Sequence, residues 1–191
     1  MKSPKLMSLV IFLAIGVLAL PQLSTADSEL YRENKSKSTR ETTINAYARL
    51  IAKNNGSAVA TLSAFVKKSG LSGVGKGRAM LILYDMDGKV LMNLSAGDTV
   101  AADPNHGYSE KKDSQSSTLL MPISDKVAAC SLVVSVEDRN IITDIEETTR
   151  DTLNRWVQDA LKQANLYAIV GIPVGGSIPL PGVDGVLKRI K

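Results

Sequence analysis

An apolar run close to the N-terminus places the strongest constraint on how this chain folds, because it separates a leader from the part that builds a core. Residues 6–20 are almost all apolar, follow Lys2 and Lys5, and precede a stretch of small residues that ends at Ala26. A positive start, an apolar middle and a small-residue end are typical of a secretory signal peptide. The sequence therefore predicts a signal peptide or uncleaved signal anchor over residues 1–26. The protein is then secreted or periplasmic, with or without a membrane anchor.

The chain that follows the leader is long enough for one domain with a hydrophobic core. The formal net charge of the whole chain is only +4. Nucleic-acid binding needs a concentrated basic face, which so even a balance does not predict. Cys130 is the only cysteine, so no internal disulfide can form. It lies in an apolar run, which predicts a buried and unreactive thiol.

The first part of the domain is predicted to be helical, after a polar linker over residues 27–37. Ser38 with Glu41 three residues later fits a capping box. Apolar residues then recur at helical spacing as far as Val66. We expect one long helix, or two helices broken at residues 54–57, where Asn and Gly are poor helix formers.

Strands are predicted in the middle of the chain. Residues 79–91 hold two apolar runs joined by Asp-Met-Asp-Gly, which predicts a hairpin. Residues 96–117 are polar and predict a long mobile loop. A third strand is expected over residues 118–123. The most apolar run, residues 127–136, predicts a fourth strand in the centre of the sheet.

The C-terminal part is predicted to hold one more helix and an irregular tail. Asn140 can cap the helix, and Trp156 lies in its apolar stripe. Residues 166–191 are largely apolar, but their glycines and prolines exclude a regular helix. Two alternatives stay open for this tail: an apolar segment draped over the domain or a partner, and a weak second membrane segment.

One local motif indicates catalysis. The sequence Leu-Tyr-Asp-Met-Asp-Gly, which contains Asp85 and Asp87, resembles motif I of the haloacid dehalogenase-like hydrolases. The resemblance implies a magnesium-dependent phosphohydrolase, with Asp85 as nucleophile and Asp87 as general acid/base. Lys89 departs from the family pattern, and the alternating strand–helix units of a doubly wound sheet are lacking. The alternative is that Asp-Met-Asp-Gly is a hairpin turn, since turns favour these residues.

The order of predicted elements resembles an extracytoplasmic PAS-like sensor domain of the Cache type. The residues that carry the resemblance are the predicted N-terminal helix, the hairpin over residues 79–91 and the strand pair over residues 119–136. It implies an α+β domain over residues 38–165, with an antiparallel sheet of about four or five strands. A long N-terminal helix and a C-terminal helix would flank that sheet.

The resemblance also implies a ligand site on the sheet, and a binding module without catalysis or cofactor. The polar residues expected near the pocket are Arg78, Tyr84, His106, Tyr108 and Lys126. Their cationic members favour a small carboxylate or amino-acid-like ligand. A homodimer through the N-terminal helix is expected as well. The phosphohydrolase, with magnesium, and an envelope scaffold without any ligand are the alternatives.

Overall fold

The chain folds into two antiparallel β-sheets that pack face to face, in a computed structural model that describes residues 26–139, 155, 158–159 and 168–191. The strands within these residues are β1 (Ser28–Ser38), β2 (Thr42–Ala52), β3 (Ala58–Ser69), β4 (Val74–Tyr84), β5 (Val90–Ala101), β6 (Tyr108–Leu119), β7 (Ala129–Arg139), β8 (Ser177–Pro179) and β9 (Gly185–Arg189). Two helices of four residues are described, α1 (Ile123–Lys126) and α2 (Ala168–Gly171).

The four-stranded sheet has the order β1-β2-β3-β6, and the five-stranded sheet has the order β5-β4-β7-β9-β8. The chain changes sheet between β3 and β4, between β5 and β6, and between β6 and β7. Up to β7, successive connections therefore alternate between two ends of the sandwich. The β2–β3, β4–β5 and β6–β7 connections lie at one end, which we name the β6–β7 end. The β1–β2, β3–β4 and β5–β6 connections lie at the other, the β5–β6 end.

Alternate residues of the facing strands form the core between the sheets, because side chains of a strand point to opposite faces with a period of two. Alanine and leucine dominate the inner face of the four-stranded sheet, and leucine and valine are the commonest residues on that of the five-stranded sheet. These inward side chains include Ile44, Ala46, Ala48 and Leu50 of β2, Ala60, Leu62, Ala64 and Val66 of β3, Leu81 and Leu83 of β4, and Cys130, Leu132 and Val134 of β7.

A second apolar layer covers the outer face of the five-stranded sheet. The C-terminal residues from α2 to β9 form this layer, and β9 pairs with β7 inside the sheet. Strands β4 and β7 are consequently buried on both faces over much of their length. The side chains of this layer include Met80, Ile82, Tyr84 and Val133 from the sheet, and Ile169, Ile172, Leu180 and Leu187 from the C-terminal residues.

Polar contacts join the two sheets along both open sides. On one side, Asp113 of β6 accepts a hydrogen bond from the backbone N–H of Gly97 in β5 at 3.1 Å. On the other, Lys35 and Lys37 of β1 lie 2.7 and 3.3 Å from the carboxylate of Asp184, just before β9. Burial raises the pKa of Asp184, but the two lysines outweigh it, so the pKa lies below its ordinary value.

A buried ammonium group links charged residues of both sheets at the β5–β6 end. Lys68 is only 1% exposed, pairs with Glu41 and lies 3.6 Å from the carboxylate of Asp138. Asp138 also accepts hydrogen bonds from the Thr42 hydroxyl and from the backbone N–H of Glu41. Burial raises the pKa of Asp138, but hydrogen bonds from the hydroxyls of Thr39 and Thr42 and the nearby ammonium outweigh it. The pKa of Asp138 therefore lies below its ordinary value.

The predicted α+β fold with a long N-terminal helix is wrong. Residues 38–66 form the end of β1, all of β2 and most of β3, and residues 53–57 are the turn between β2 and β3. The alanines explain the error. Alanine is a good helix former, so the segment also matches a helical period. In the structure, buried positions alternate strictly with more exposed ones from Ile44 to Leu50, as in a strand. The predicted linker over residues 27–37 is wrong as well, because all of it but Asp27 lies in β1.

The predicted loop over residues 96–117 is also wrong, because it contains the end of β5 and nearly all of β6. Strand β6 is an edge strand with polar side chains on both faces, so it shows no apolar alternation. The third strand, predicted over residues 118–123, is displaced: β6 ends at Leu119 and α1 begins at Ile123. The predicted hairpin is confirmed as β4–β5, and the central fourth strand is confirmed as β7.

Two predictions concern residues outside those described. The leader lies there, apart from Ala26, and so do Asn140 and Trp156 of the predicted last helix. Of the tail, residues 168–191 pack in and over the five-stranded sheet. No helix among the described residues is both long and apolar enough to cross a membrane.

Candidate functional site

The structure does not bring together the five residues that the sequence predicts around a ligand. Arg78 and Tyr84 are both on the outer side of β4, but six residues separate them, or about 20 Å along a strand. His106 and Tyr108 lie at the β5–β6 end, in and beside the β5–β6 connection. Lys126 is the last residue of α1, at the β6–β7 end. No single pocket can therefore contain all five.

Two of the five belong to the five-stranded sheet itself. Tyr84 is fully buried, and its hydroxyl oxygen lies 2.9 Å from Oγ of Ser131, also buried. Burial raises the pKa of Tyr84 above its ordinary value. Nε of Arg78 is buried as well, and it has no hydrogen-bond partner in the described structure. Tyr84 is therefore a core residue, and Arg78 is partly buried on the same side of β4.

The other three are surface residues. Nδ1 of His106 lies 2.7 Å from the carboxylate of Asp103, in the same loop. That hydrogen bond, with one from the backbone N–H of Asn105, holds the pKa of Asp103 below its ordinary value. Tyr108 is half exposed, with Nζ of Lys67 4.8 Å from its ring centre. Lys126 is exposed at the end of α1. The contact of His106 stays within its own loop, and the contact of Tyr108 joins β6 to β3.

Asp85 and Asp87 form the β4–β5 turn. The carboxylate of Asp85 accepts hydrogen bonds from the backbone N–H groups of Asp87 and Lys89 at 3.1 and 2.8 Å. Gly88 has a φ of 75°, a conformation that glycine adopts readily. The strands on either side are antiparallel, whereas the hydrolase motif ends a strand of a parallel sheet. Asp85 thus has a structural role in this turn.

A concave surface lies elsewhere, on the outer face of the four-stranded sheet. It is a groove of about 550 Å³ over the middle of β1, β2, β3 and β6. Its floor contains the rings of Tyr47 and Phe65, both partly buried, among short polar side chains. The residues that line it are Asn34, Lys35, Ser36, Asn45, Ala46, Tyr47, Ser63, Ala64, Phe65 and Lys112.

Strand register explains the shape of the groove. Tyr47 of β2 pairs with Ser63 of β3, and Asn45 of β2 pairs with Phe65 of β3. Each aromatic ring thus stands opposite a short polar side chain, and the two rings lie diagonally across the strand pair. Short or flexible residues of the edge strands lie beside these two pairs. Asn34 and Ser114 flank the first pair, and Ser36 and Lys112 flank the second.

Lys112 supplies the positive charge that faces the groove. It lies directly opposite Phe65 on the outer face, is exposed, and forms no ion pair with any described residue. The other lysine of the lining, Lys35, has its ammonium 2.7 Å from Asp184 on the opposite face of β1. No carboxylate is among the residues that line the groove. An anionic group in the groove would meet Lys112 without a competing negative neighbour.

A charged cluster limits the groove toward the β6–β7 end. Arg32 donates hydrogen bonds to the carboxylate of Glu29, and Nε of Arg49 lies 2.8 Å from the same carboxylate. The pKa of Arg32 is raised above its ordinary value, first by its hydrogen bond to Glu29 and then by weaker contributions that include Tyr47. Because Glu29 already neutralises this pair in part, Lys112 remains the cation best placed for a ligand.

Clustered metal ligands and a reactive thiol are the other groups that could carry chemistry. The described residues contain no group of three or more His, Cys, Asp and Glu side chains that could hold a metal ion. Cys130 is fully buried in β7, and burial raises the pKa of its thiol. The predicted buried thiol is thereby confirmed, and the thiolate needed for nucleophilic chemistry is disfavoured.

Sequence reasoning missed the groove because it assigned Tyr47 and Phe65 to the apolar stripe of a helix. The signal that could have found them is the alternation in β2 and β3. Once the alanines and leucines are placed on one face, Asn45, Tyr47, Ser63 and Phe65 fall together on the other. Lys112 carried no comparable signal, since β6 has no apolar face to set its register.

No family model matches the sequence, and no curated protein matches it either.

Proposed function

We propose that this protein is an extracytoplasmic small-molecule-binding module whose ligand occupies the groove on the four-stranded sheet. The observation that supports it is a 550 Å³ groove with two aromatic rings on its floor and an unpaired ammonium group at its edge. Pockets for small molecules have volumes of about 300–1,000 Å³. The predicted leader supports the extracytoplasmic location. The site predicted from the sequence is thereby replaced by a different set of residues.

The chemistry of the lining favours a small carboxylate with a flat or apolar body. The rings of Tyr47 and Phe65 offer apolar faces, and the hydroxyl and amide groups around them can donate or accept hydrogen bonds. Lys112 offers one cation to a carboxylate. An aromatic or branched amino-acid-like ligand combines these properties. A phosphate ester finds no second unpaired cation in the lining, because Lys35 is paired with Asp184.

The test is a melting-temperature screen of the purified chain against carboxylates, amino acids, their uncharged amides, phosphate esters and magnesium. A ligand at one hundred times its dissociation constant adds about 2.7 kcal/mol of stability. That corresponds to a rise of about 5 °C or more for a domain of this size. We expect a rise with a carboxylate and a much smaller rise with its amide.

Two matched variants assign the effect to the groove. Lys112→Gln should abolish most of the shift, while Lys111→Gln should leave it unchanged. Lys111 is the next residue of β6, but it lies on the opposite face, 3.3 Å from Asp98. If both variants lose the shift equally, binding is not in the groove. If no compound in the panel binds, the scaffold alternative is favoured, and a shift that needs magnesium and a phosphate ester would favour the hydrolase.

A further inference from the structure

Exposed apolar side chains are concentrated at one end of the sandwich. Of the eight large hydrophobic residues exposed in the described structure, six belong to segments at the β6–β7 end. Only Leu71 and Tyr108 are exposed at the other end, and Lys67 lies over the ring of Tyr108. We name the six residues the apolar end: Met86, Leu120, Met121, Ile123, Val170 and Val174.

Three of these side chains lie within four consecutive residues of the β6–β7 connection. Leu120, Met121 and Ile123 are 67%, 58% and 47% exposed. An isolated exposed leucine is ordinary on a protein surface, whereas three within one turn form a patch. The carbonyl of Leu120 accepts hydrogen bonds from the backbone N–H groups of Ile123 and Ser124, so the turn is closed.

The patch is held in position by the rest of the fold. Oγ of Ser124 donates a hydrogen bond to the carbonyl of Gly56 in the β2–β3 turn at 2.6 Å. The side chain of Met121 lies against Gly56, where a β-carbon would collide with its sulfur. The backbone N–H of Ala128 donates to the carbonyl of Tyr84 at 2.8 Å. The apolar side chains are therefore presented by a fixed turn.

The leader joins the fold at this same end. Strand β1 begins at Ser28, directly opposite Ala52 at the end of β2, and Asp27 is 2.6 Å from the ammonium of Lys53. Only residues 21–27 separate the apolar run of the leader from β1. Fully extended, this segment spans at most about 25 Å. A bilayer that holds or receives the leader therefore lies close to the apolar end.

From these observations we propose that the apolar end rests on the surface of a lipid bilayer. The three side chains of the β6–β7 turn insert among the lipid headgroups, and the strands stand away from the membrane. The groove lies on the middle of a sheet face and stays open to the solvent. Acidic residues Asp85, Asp87 and Asp125 are interspersed among the lysines of this end, so the contact is apolar and needs no anionic lipid.

The experiment places a polarity-sensitive thiol probe on each end of the full chain, in Met121→Cys and in Leu71→Cys. Both positions are exposed, and native Cys130 is buried and does not compete for the probe. Phosphatidylcholine vesicles with and without a nitroxide-labelled lipid are then added. We expect a blue shift and loss of fluorescence by quenching at position 121, and no change at position 71. About 0.5 M salt should leave the quenching intact, because an apolar contact is not screened.

A second pair of variants separates contact from mere tethering by the leader. Leu120→Ser combined with Ile123→Ser in the Met121→Cys background should lose the quenching, whereas Leu71→Ser in that background should keep it. Unchanged melting temperatures serve as the folding control. Equal quenching at positions 121 and 71, or none at either, would overturn the proposal. So would a blue shift at position 121 without vesicles, rising with protein concentration, because it indicates a second copy as the occupant. None of these outcomes affects ligand binding in the groove.

Discussion

The two sheets of this protein have the same kind of inner face and opposite kinds of outer face. The outer face of the four-stranded sheet is polar and open, with Tyr47 and Phe65 at its centre. The outer face of the five-stranded sheet is apolar around Met80 and Ile82, and the C-terminal residues cover it. One sheet therefore offers a surface for binding, and the other provides much of the buried area that stabilises the fold.

This difference shows how burial on one face or two determines what a strand looks like in sequence. Strands β2 and β3 alternate between apolar and polar residues because water contacts one side. Strand β4 is a continuous buried run from Ala79 to Tyr84, because apolar layers lie on both sides. The comparison leads to three predictions, ordered by the size of the expected effect.

The first prediction compares the loss of stability when one side chain is truncated on the outer face of each sheet. Ile82→Ala removes a side chain that is 2% exposed under the C-terminal cover, and should cost about 2–5 kcal/mol of unfolding free energy. Phe65→Ala removes a partly exposed ring from the groove, and should cost less than about 1 kcal/mol. Urea denaturation of both variants measures the difference. Equal losses would mean that the outer face of the four-stranded sheet is covered too.

The second prediction concerns the close approach of the two sheets. A β-carbon on Gly77 of β4 would lie 2.7 Å from a methyl carbon of Val66 and 3.1 Å from Cβ of Ile44, both in the facing sheet. Gly77→Ala should therefore cost about 1–3 kcal/mol, because the sheets must separate or the side chains must move. Gly171→Ala is the control, since its β-carbon meets no atom within 4 Å. Thermal melts of the two variants check the expectation, and a neutral Gly77→Ala would contradict it.

The third prediction concerns the contact of Asp138 with the β1–β2 connection of the opposite sheet. The pKa of Asp138 is lowered in the folded protein, so its contribution is present at neutral pH. It is lost as the pH falls from the ordinary value of 3.8 through the lower folded value. Asp138→Asn should cost at most about 1 kcal/mol at pH 7, because the group is partly exposed.

Melting temperature against pH tests this assignment. The Asp138→Asn variant should lose less stability between pH 5 and about pH 3 than the unchanged chain does. Asp87→Asn, in the exposed β4–β5 turn, is the matched control and should keep the original acid sensitivity. Parallel curves for Asp138→Asn and the unchanged chain would show that this carboxylate does not link the sheets.

The sequence predicted the five-stranded sheet far better than the four-stranded one. Strands β4 and β5 are apolar runs broken by Asp-Met-Asp-Gly, a pattern that fits few structures other than a hairpin, and β7 begins as a long apolar run. The segments of β2 and β3 match a helix as well as a strand, because alanine at positions 46, 48, 60 and 64 satisfies either period. Deciding between the periods requires knowing that a second sheet lies opposite, and that knowledge is not local to the segment.

The candidate site could not be predicted because it depends on register. Phe65 and Lys112 are far apart in sequence and adjacent only because β3 pairs with β6. The five residues chosen from the sequence were polar side chains near expected strand ends, a property that many surface residues share. Asp85 illustrates the same limit. Asp-Met-Asp-Gly fits both a catalytic motif and a tight turn, and only the direction of the next strand distinguishes the two.

The position of β4 and β7 in the middle of the five-stranded sheet also sets how fast different amides exchange their hydrogens with water. Strand β4 also pairs with β5, and β7 also pairs with β9, so the β4–β7 ladder has a hydrogen-bonded neighbour on each edge over the length of β9. Apolar layers cover both of its faces. Its amides should exchange only when the whole domain unfolds, and so report the global stability. The amides of β1 and β6, at the edges of the open sheet, should exchange by local fraying long before. Among the described strands, slow and fast exchange would thus distinguish the β4–β7 ladder from the edges of the open sheet.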